Sequence, residues 1–246
     1  YDIMVRSASS DPVYVPLKSL AIDLKEMAAS ISSKTRMVFL TNPNNPTGTT
    51  ITKNAFERFL QSIPEDVVVV VDEAYIEFVR NSDCVQGIAY IQEERPVVVL
   101  RTFSKAYGLA GLRVGYGIMP EAIAMLLHRV RQPFNVNTLA QTAAAAALDD
   151  REFLGQTLKG VHEGIDYIEQ RLDDLNIRHF PTQANFLLID VEDSADLIYK
   201  RLLGKGVIVR SMTAYGFPRY IRVSVGLPDE NQRFVGALED VLNTPE

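Results

Sequence analysis

The residues best suited to chemistry lie between Arg101 and Gly117, in the stretch RTFSKAYGLAGLRVGYG. Lys105 follows a run of four apolar residues and a short hydroxyl-rich segment, and Arg113 lies eight residues beyond it. An ammonium group at the exit of an apolar strand must be paired, solvated or neutralised. A Schiff base is one such solution, because the lysine then carries a carbonyl cofactor. A lysine on an exposed loop is the alternative, and this stretch alone does not decide between them.

Two other apolar runs also end in polar residues. The run 36–41 leads into the turn-forming sequence NPNNPTG at 42–48, and the run 66–71 leads into Asp72 and Tyr75. Continuous apolar runs are typical of strands covered on both faces. Their alternation with helical spacing predicts an α/β fold with a mainly parallel sheet sandwiched by helices. Ligands of such sheets bind beyond the carboxyl ends of the strands, so we expect these polar residues to share one edge.

The second half of the chain has a different pattern. An apolar stripe at helical spacing over 154–175 predicts a long helix that docks on a neighbour. Strands are predicted over 185–191, 207–211 and 220–225, with helices over 194–203 and 229–242. We therefore expect a large domain over residues 1–150 and a small α+β domain over residues 151–246. No element is predicted in residues 1–20.

Composition excludes several classes of protein. The formal charge of −6 over 246 residues argues against nucleic acid and acidic membrane surfaces as partners. No run approaches the 18 apolar residues of a membrane span. A single cysteine, Cys84, excludes an internal disulfide framework and is consistent with a reducing compartment, so a cytoplasmic location is predicted. The three histidines lack metal-ligand spacing, and no metal site is predicted.

Four motifs taken together carry a resemblance to a known family. They are NPNNPTG at 42–48, VDEAY at 71–75, TFSK at 102–105 with Arg113, and YIRVSV at 220–225. In this order and at these spacings they resemble the fold-type I enzymes that use pyridoxal 5′-phosphate (PLP), and among them the histidinol-phosphate aminotransferases. The resemblance covers nearly the whole chain from Asp11. It implies part of the PLP-binding large domain over 1–150, and a homodimer.

The resemblance also implies how the cofactor ring is held. Lys105 would carry PLP as a Schiff base and then move a proton on the substrate. Asp72 would pair with the pyridine nitrogen and keep it protonated, since an opposite charge in a secluded site favours the charged form. Asn45 and Tyr75 would hydrogen-bond the phenolic oxygen of the ring.

The remaining implied contacts are to acid groups. Thr102, Ser104 and Arg113 would hold the cofactor phosphate through two hydroxyls and one cationic fork. Arg222 matches the residue that clamps a substrate acid group, and Arg210 matches a second arginine of the same pocket. Taken without the resemblance, an arginine on an alternating strand is more often on the solvated face.

The implied reaction belongs to histidine biosynthesis. L-Histidinol phosphate and 2-oxoglutarate would give imidazole acetol phosphate and L-glutamate. An aromatic or broad-range aminotransferase, or a threonine-phosphate decarboxylase, would use the same lysine, and a non-catalytic PLP-binding sensor is a remote alternative. The resemblance further implies an upstream glycine-containing turn and an aromatic residue stacked on the ring, and neither is found in residues 1–35. We therefore expect the chain to be the C-terminal two-thirds of such an enzyme.

Overall fold

The computed structural model describes residues 1–92 and 95–243. The helices in this part are α1 (Asp2–Ser7), α2 (Leu24–Ala29), α3 (Lys53–Ser62), α4 (Glu121–Val130), α5 (Thr138–Asp149), α6 (Arg151–Asp174), α7 (Ala195–Gly204) and α8 (Pro228–Asn243). The strands are β1 (Met37–Thr41), β2 (Val68–Asp72), β3 (Val97–Thr102), β4 (Gly115–Ile118), β5 (His179–Phe180), β6 (Phe186–Asp190), β7 (Arg210–Ser211) and β8 (Tyr220–Ser224). None of the helices within these ranges has the length and apolar character needed to cross a membrane.

The first sheet has the strand order β1-β2-β3-β4. Its first three strands are parallel, as predicted, and β4 runs antiparallel to β3. The strand β4 was not predicted, because its Gly-Tyr-Gly sequence is more typical of a turn. Glycine is needed there since a Cβ on Gly115 would lie 2.8 Å from the carbonyl oxygen of Arg101. The neighbouring strand thus excludes any larger residue.

The core of this sheet is built from β-branched and aromatic side chains. Valines of β2 and β3 pack against the buried face of α3, which begins where the hydroxyl of Thr52 accepts the amide N–H of Ala55 at 3.2 Å. The buried members of this cluster include Leu40, Phe56, Phe59, Val69, Val71, Val97 and Val99. Burial on both faces explains why β2 and β3 are apolar without alternation, whereas β1 is buried only at Val38 and Leu40 and leaves Met37 exposed.

The second sheet is antiparallel, with the order β5-β6-β8-β7. Helices α6, α7 and α8 bury their apolar stripes against it, in a cluster that includes Ile165, Ile168, Leu187, Ile189, Ile198, Ile221, Phe234 and Leu238. A mainly parallel sheet with helices, followed by a small α+β unit, is therefore confirmed as the fold class. The strand predicted over 207–211 is shorter than expected, since only β7 pairs with the sheet.

Helix α6 packs against residues from both halves of the chain. Its first turns carry Leu154 and Leu158, which pack with Tyr75 and Phe78 from the first half. Its later turns carry Ile168 into the core of the second sheet. The aspartate before it, Asp150, accepts the amide N–H of Phe153 at 2.9 Å and so begins the helix. The division of the chain near residue 150 remains a prediction.

Candidate active site

The strands β1 and β2 end level with one another, and β3 continues two residues further, to Thr102. Thr41 is the register partner of Asp72, and Asp72 is the partner of Leu100. The residues that follow these strands therefore meet at one edge of the sheet, as expected from the parallel arrangement.

The loop after β1 is held by its own asparagines. The side chain of Asn42 donates to the carbonyl oxygen of Val85 at 2.8 Å and accepts the amide N–H of Ile51 at 2.8 Å. The carbonyl oxygen of Asn44 accepts the amide N–H of Gly48 at 2.7 Å. With the loop fixed in this way, the side chain of Asn45 is directed at Tyr75, with 3.5 Å from Nδ2 to the phenol oxygen.

Asp72 lies at the end of β2 with both carboxylate oxygens engaged. Its Oδ1 accepts the amide N–H of Ala74 at 3.1 Å, and its Oδ2 accepts the hydroxyl of Tyr1. Each carboxylate oxygen can accept more than one hydrogen bond. Asp72 therefore still has capacity to receive a cationic donor from the cleft.

The loop after β3 carries the lysine. The hydroxyl of Thr102 accepts the amide N–H of Ser104 at 3.0 Å, which turns the chain at the strand end. Lys105 is exposed, and its Nζ lies 5.4 Å from the centre of the Tyr75 ring. Arg113 has a left-handed backbone with φ of 56°, and its Nη1 lies 2.8 Å from the carbonyl oxygen of Ala110 and 3.5 Å from the Ser104 hydroxyl.

The residues that follow β2 and β3 line one cleft of about 360 Å³, whereas Asn45 and Tyr75 are not among its lining residues. Its lining includes Asp72, Thr102, Ser104, Lys105 and Arg113. The structure thus brings together a carboxylate, an amine, a guanidinium and two hydroxyls from two strand ends. The guanidinium of Arg113 beside the hydroxyl donors suits an anionic group of a ligand, and the carboxylate of Asp72 suits a positively charged group of a ligand.

Arg222 reaches this edge from the second sheet. It lies on β8 directly opposite Arg210 of β7, so the two side chains start from the same face of the sheet. Its guanidinium lies over the Phe186 ring at 4.9 Å, and its Nη1 donates to Oδ1 of Asn45. Its Nε is buried without a hydrogen-bond partner in the described part of the chain. An unpaired buried donor is costly, and an acid group from a ligand would satisfy it.

Burial sets the protonation of the neighbouring groups. Burial raises the pKa of Tyr75, with Arg222 opposing the shift, so the phenol is a protonated donor at neutral pH. Burial also raises the pKa of Glu73, against the Gly87 amide and the Arg101 guanidinium. Glu73 is fully buried, and its carboxylate lies 2.8 Å from the guanidinium of Arg101 in the wall of the cleft. The carboxylate thereby compensates the positive charge of Arg101.

Sequence reasoning missed three residues of this region. Tyr1 contacts Asp72 across 71 positions of sequence, Glu73 compensates Arg101, and Phe186 supports Arg222. The sequence carried one signal for these contacts, because the acidic residue Glu73 directly follows Asp72 and could have indicated the ion pair with Arg101. Within residues 1–92 and 95–243 no group of three or more His, Cys, Asp and Glu side chains could hold a metal ion.

The chain is similar in sequence to curated histidinol-phosphate aminotransferases. It is 50% identical over 229 residues to histidinol-phosphate aminotransferase 2 of Carboxydothermus hydrogenoformans, covering 93% of this chain and 63% of that protein. It is 48% identical to the enzyme of Desulfotalea psychrophila, covering 93% and 61%. The chain thus spans a little under two thirds of the length of these curated relatives.

Solved structures and a family model agree with this similarity. A histidinol-phosphate aminotransferase of Sinorhizobium meliloti in complex with pyridoxal-5′-phosphate superposes with a TM-score of 0.91 at 29% identity, covering 98% of this chain and 67% of that one. The enzyme of Clostridium acetobutylicum superposes with a TM-score of 0.90 at 26% identity, covering 99% and 74%. The family model for aminotransferase class I and II matches residues 1–238. The chain therefore belongs to the class I and II aminotransferase family.

Proposed function

We propose that this chain carries most of the active site of a PLP-dependent transaminase. The enzyme would transfer the amino group of L-histidinol phosphate to 2-oxoglutarate, giving imidazole acetol phosphate and L-glutamate. The observation that carries the proposal is the single cleft lined by Asp72, Lys105 and Arg113. The choice of substrate is supported by the names of relatives at 48–50% identity.

The donor set of the cleft fits PLP. Arg113 and the hydroxyls of Thr102 and Ser104 would hold the phosphate, because a guanidinium fork and hydroxyl donors suit its oxygens. Asp72 would accept a hydrogen bond from the protonated ring nitrogen. Its carboxylate oxygens can accept more hydrogen bonds than the two that they already receive from Ala74 and Tyr1. When bound, PLP supplies an electron sink for the electrons that remain at Cα after its proton is removed.

Tyr75 and Asn45 would orient the ring. Because burial raises the pKa of Tyr75, its phenol is available as a donor to the phenolic oxygen of PLP. Asn45 Nδ2 donates to the phenol oxygen of Tyr75 at 3.5 Å, so the two side chains lie next to each other. Neighbouring donors that are already in place can orient a ring without reorganisation during the reaction.

Lys105 would hold the cofactor and act as the general base. Its side chain is exposed to the cleft, with Nζ above the Tyr75 ring and no acidic partner among the described residues. A lysine amine in that place can accept the proton from Cα of the substrate and later return it.

Arg222 and Arg210 would bind the acid group of the substrate. The buried, unpaired Nε of Arg222 provides a donor that no described protein group uses. Arg210 is exposed on the neighbouring strand and directly opposite. Histidinol phosphate has a phosphate where glutamate has a carboxylate, so both would use this arginine pair in alternate half-reactions.

We also propose a homodimer in the cytoplasm. Helix α4 has no buried residue, and it exposes Met125, Leu126 and Val130, while Phe134 just beyond it is 97% exposed. Exposed apolar patches of this kind mark interaction surfaces. Sedimentation of the complete protein tests the proposal: a dimer supports it, and a monomer at micromolar concentration contradicts it. The cytoplasmic location rests on the single free cysteine, Cys84.

The decisive experiment is an amino-donor titration of the complete protein loaded with PLP. We expect L-histidinol phosphate alone to change the visible absorption of the bound cofactor and 2-oxoglutarate to reverse that change. Release of L-glutamate in step with the reversal would identify both half-reactions. A response to aromatic amino acids but not to histidinol phosphate would contradict the substrate. Release of carbon dioxide from threonine phosphate would favour a decarboxylase, and no response to any amine would favour a sensor.

A further inference from the structure

One contact of the cleft has no counterpart in the roles assigned above. The hydroxyl of Tyr1 donates to Oδ2 of Asp72. The Tyr1 ring stacks on Phe39 of β1, with ring centres 4.4 Å apart and planes inclined by 24°. Thr41 of β1 is the register partner of Asp72, so both ends of this contact are fixed to adjacent strands of one sheet.

In this contact the Tyr1 hydroxyl is the donor and the Asp72 carboxylate is the acceptor. Burial raises the pKa of Tyr1 well above its usual range, and the hydrogen bond to Asp72 adds to the shift. The phenol is therefore protonated at neutral pH and donates its hydrogen bond to the carboxylate. A donated hydrogen bond to a carboxylate restricts the rotation of that group.

We propose that Tyr1 is a positioning residue that holds the Asp72 carboxylate in one orientation for the ring nitrogen of PLP. The inference rests on the proposed function, because it assumes that Asp72 receives that nitrogen. The Ala74 amide occupies Oδ1 at 3.1 Å and the Tyr1 hydroxyl occupies Oδ2. Two fixed donors of this kind leave the remaining lone pairs of the carboxylate pointing in defined directions.

A double-mutant cycle separates this role from a general structural one. The complete protein is prepared as wild type, Tyr1→Phe, Asp72→Ala and the double variant, in the numbering used here. The phenylalanine keeps the ring on Phe39 and removes only the hydroxyl. Tyr90→Phe is the matched control, because the Tyr90 hydroxyl also donates to a carboxylate, that of Glu57, at 2.9 Å.

Two quantities are measured for each variant. One is the dissociation constant for PLP, and the other is the visible absorption maximum of bound PLP, which depends on the charge at its ring nitrogen. We expect Tyr1→Phe to weaken PLP binding about tenfold when Asp72 is present, as for loss of a hydrogen bond to a charged group. We expect the absorption maximum to shift as well, and both effects to vanish in the Asp72→Ala background. The unfolding temperature should be the same for Tyr1→Phe and Tyr90→Phe.

Equal losses in both backgrounds would overturn the inference, since Tyr1 would then act without Asp72. Unchanged affinity and spectrum in Tyr1→Phe would overturn it as well. In both cases PLP binding by the wild type would leave the proposed function standing. A wild-type protein that does not bind PLP would overturn the proposed function and this inference together.

Discussion

The two sheets present their functional side chains in different ways. In the first sheet the polar residues follow the strands, so that Asp72 and Lys105 lie at or beyond a carboxyl end. In the second sheet Arg210 and Arg222 lie within strands and are set by their pairing register. A position beyond a strand end is fixed by where the apolar run stops. For a residue within a strand, the pairing register decides on which face of the sheet the side chain lies.

Besides the packing of α6, polar contacts join the two regions. Arg222 donates to Asn45, and the amide N–H of Gln183 donates to the carbonyl oxygen of Gly48 at 2.8 Å. The Gln183 side chain also accepts the amide N–H of Arg80 at 2.8 Å. These contacts join Arg222 to the asparagine-rich loop that follows β1, so changes in either region or at their junction are expected to have different signatures.

The largest effect is expected at the strand-end region. Lys105→Ala removes the amine that holds the cofactor and moves the proton, and should lower kcat by about 10²- to 10⁴-fold or more. Steady-state transamination with histidinol phosphate measures it. Lys159→Ala, an exposed lysine on α6 that pairs with Glu163, should leave the rate unchanged. Full activity of Lys105→Ala would remove this region from the reaction.

A change at the junction should affect stability more than chemistry. Gly48 has φ of +73°, and a Cβ there would lie 2.1 Å from the Thr182 hydroxyl oxygen. Gly48→Ala therefore combines an unfavourable left-handed backbone with overpacking, and should cost about 3 kcal/mol of stability.

Unfolding in urea tests this cost, and a helical glycine provides a control of opposite sign. Gly155 lies in α6, and a Cβ added to it would meet no atom within 4 Å. Gly155→Ala should stabilise by about 0.5–1 kcal/mol, because alanine loses less backbone entropy in a helix. If Gly48→Ala were as stable as the wild type, the two regions would not be held together as tightly as these contacts indicate.

A change in the second region should weaken the binding of the substrate. Arg222→Ala removes the buried donor and should raise the KM for histidinol phosphate about 10- to 100-fold, as for a charged hydrogen bond. The affinity for PLP should change much less. Arg233→Ala, an exposed arginine on α8 whose side chain donates to the Lys205 carbonyl oxygen, is the control. Equal losses of substrate and cofactor affinity would place Arg222 with the first region instead.

The smallest effect is expected for Tyr75→Phe. Loss of one neutral donor should weaken PLP binding about 3- to 10-fold, measured by equilibrium titration, with Tyr220→Phe as the control.

The folded pKa of Tyr75 is raised by burial. The contribution of the neutral phenol to stability is therefore full below the unfolded pKa of about 10 and is lost as pH rises through the folded pKa. A difference between wild type and variant that vanished at neutral pH would contradict this.

Several elements were predictable because local pattern and tertiary environment agree. The valine run of β2 is apolar throughout and ends in Asp72, so both the strand and the exit residue could be recognised directly. The stripe of α6 was recognisable from its helical spacing. The strand β4 was missed because Gly115 is required by the approach of the Arg101 carbonyl oxygen, which is a contact and not a local preference.

The sequence by itself determined that a lysine, an aspartate and an asparagine-rich turn follow buried strands, since apolar runs and turn formers are local properties. Tertiary structure alone decided that Tyr1 donates to Asp72, that Gly48 lies against Thr182, and that Arg222 reaches Asn45. These contacts join residues 71 or more positions apart. Each arises from how two elements pack, and no local preference of either partner encodes that packing.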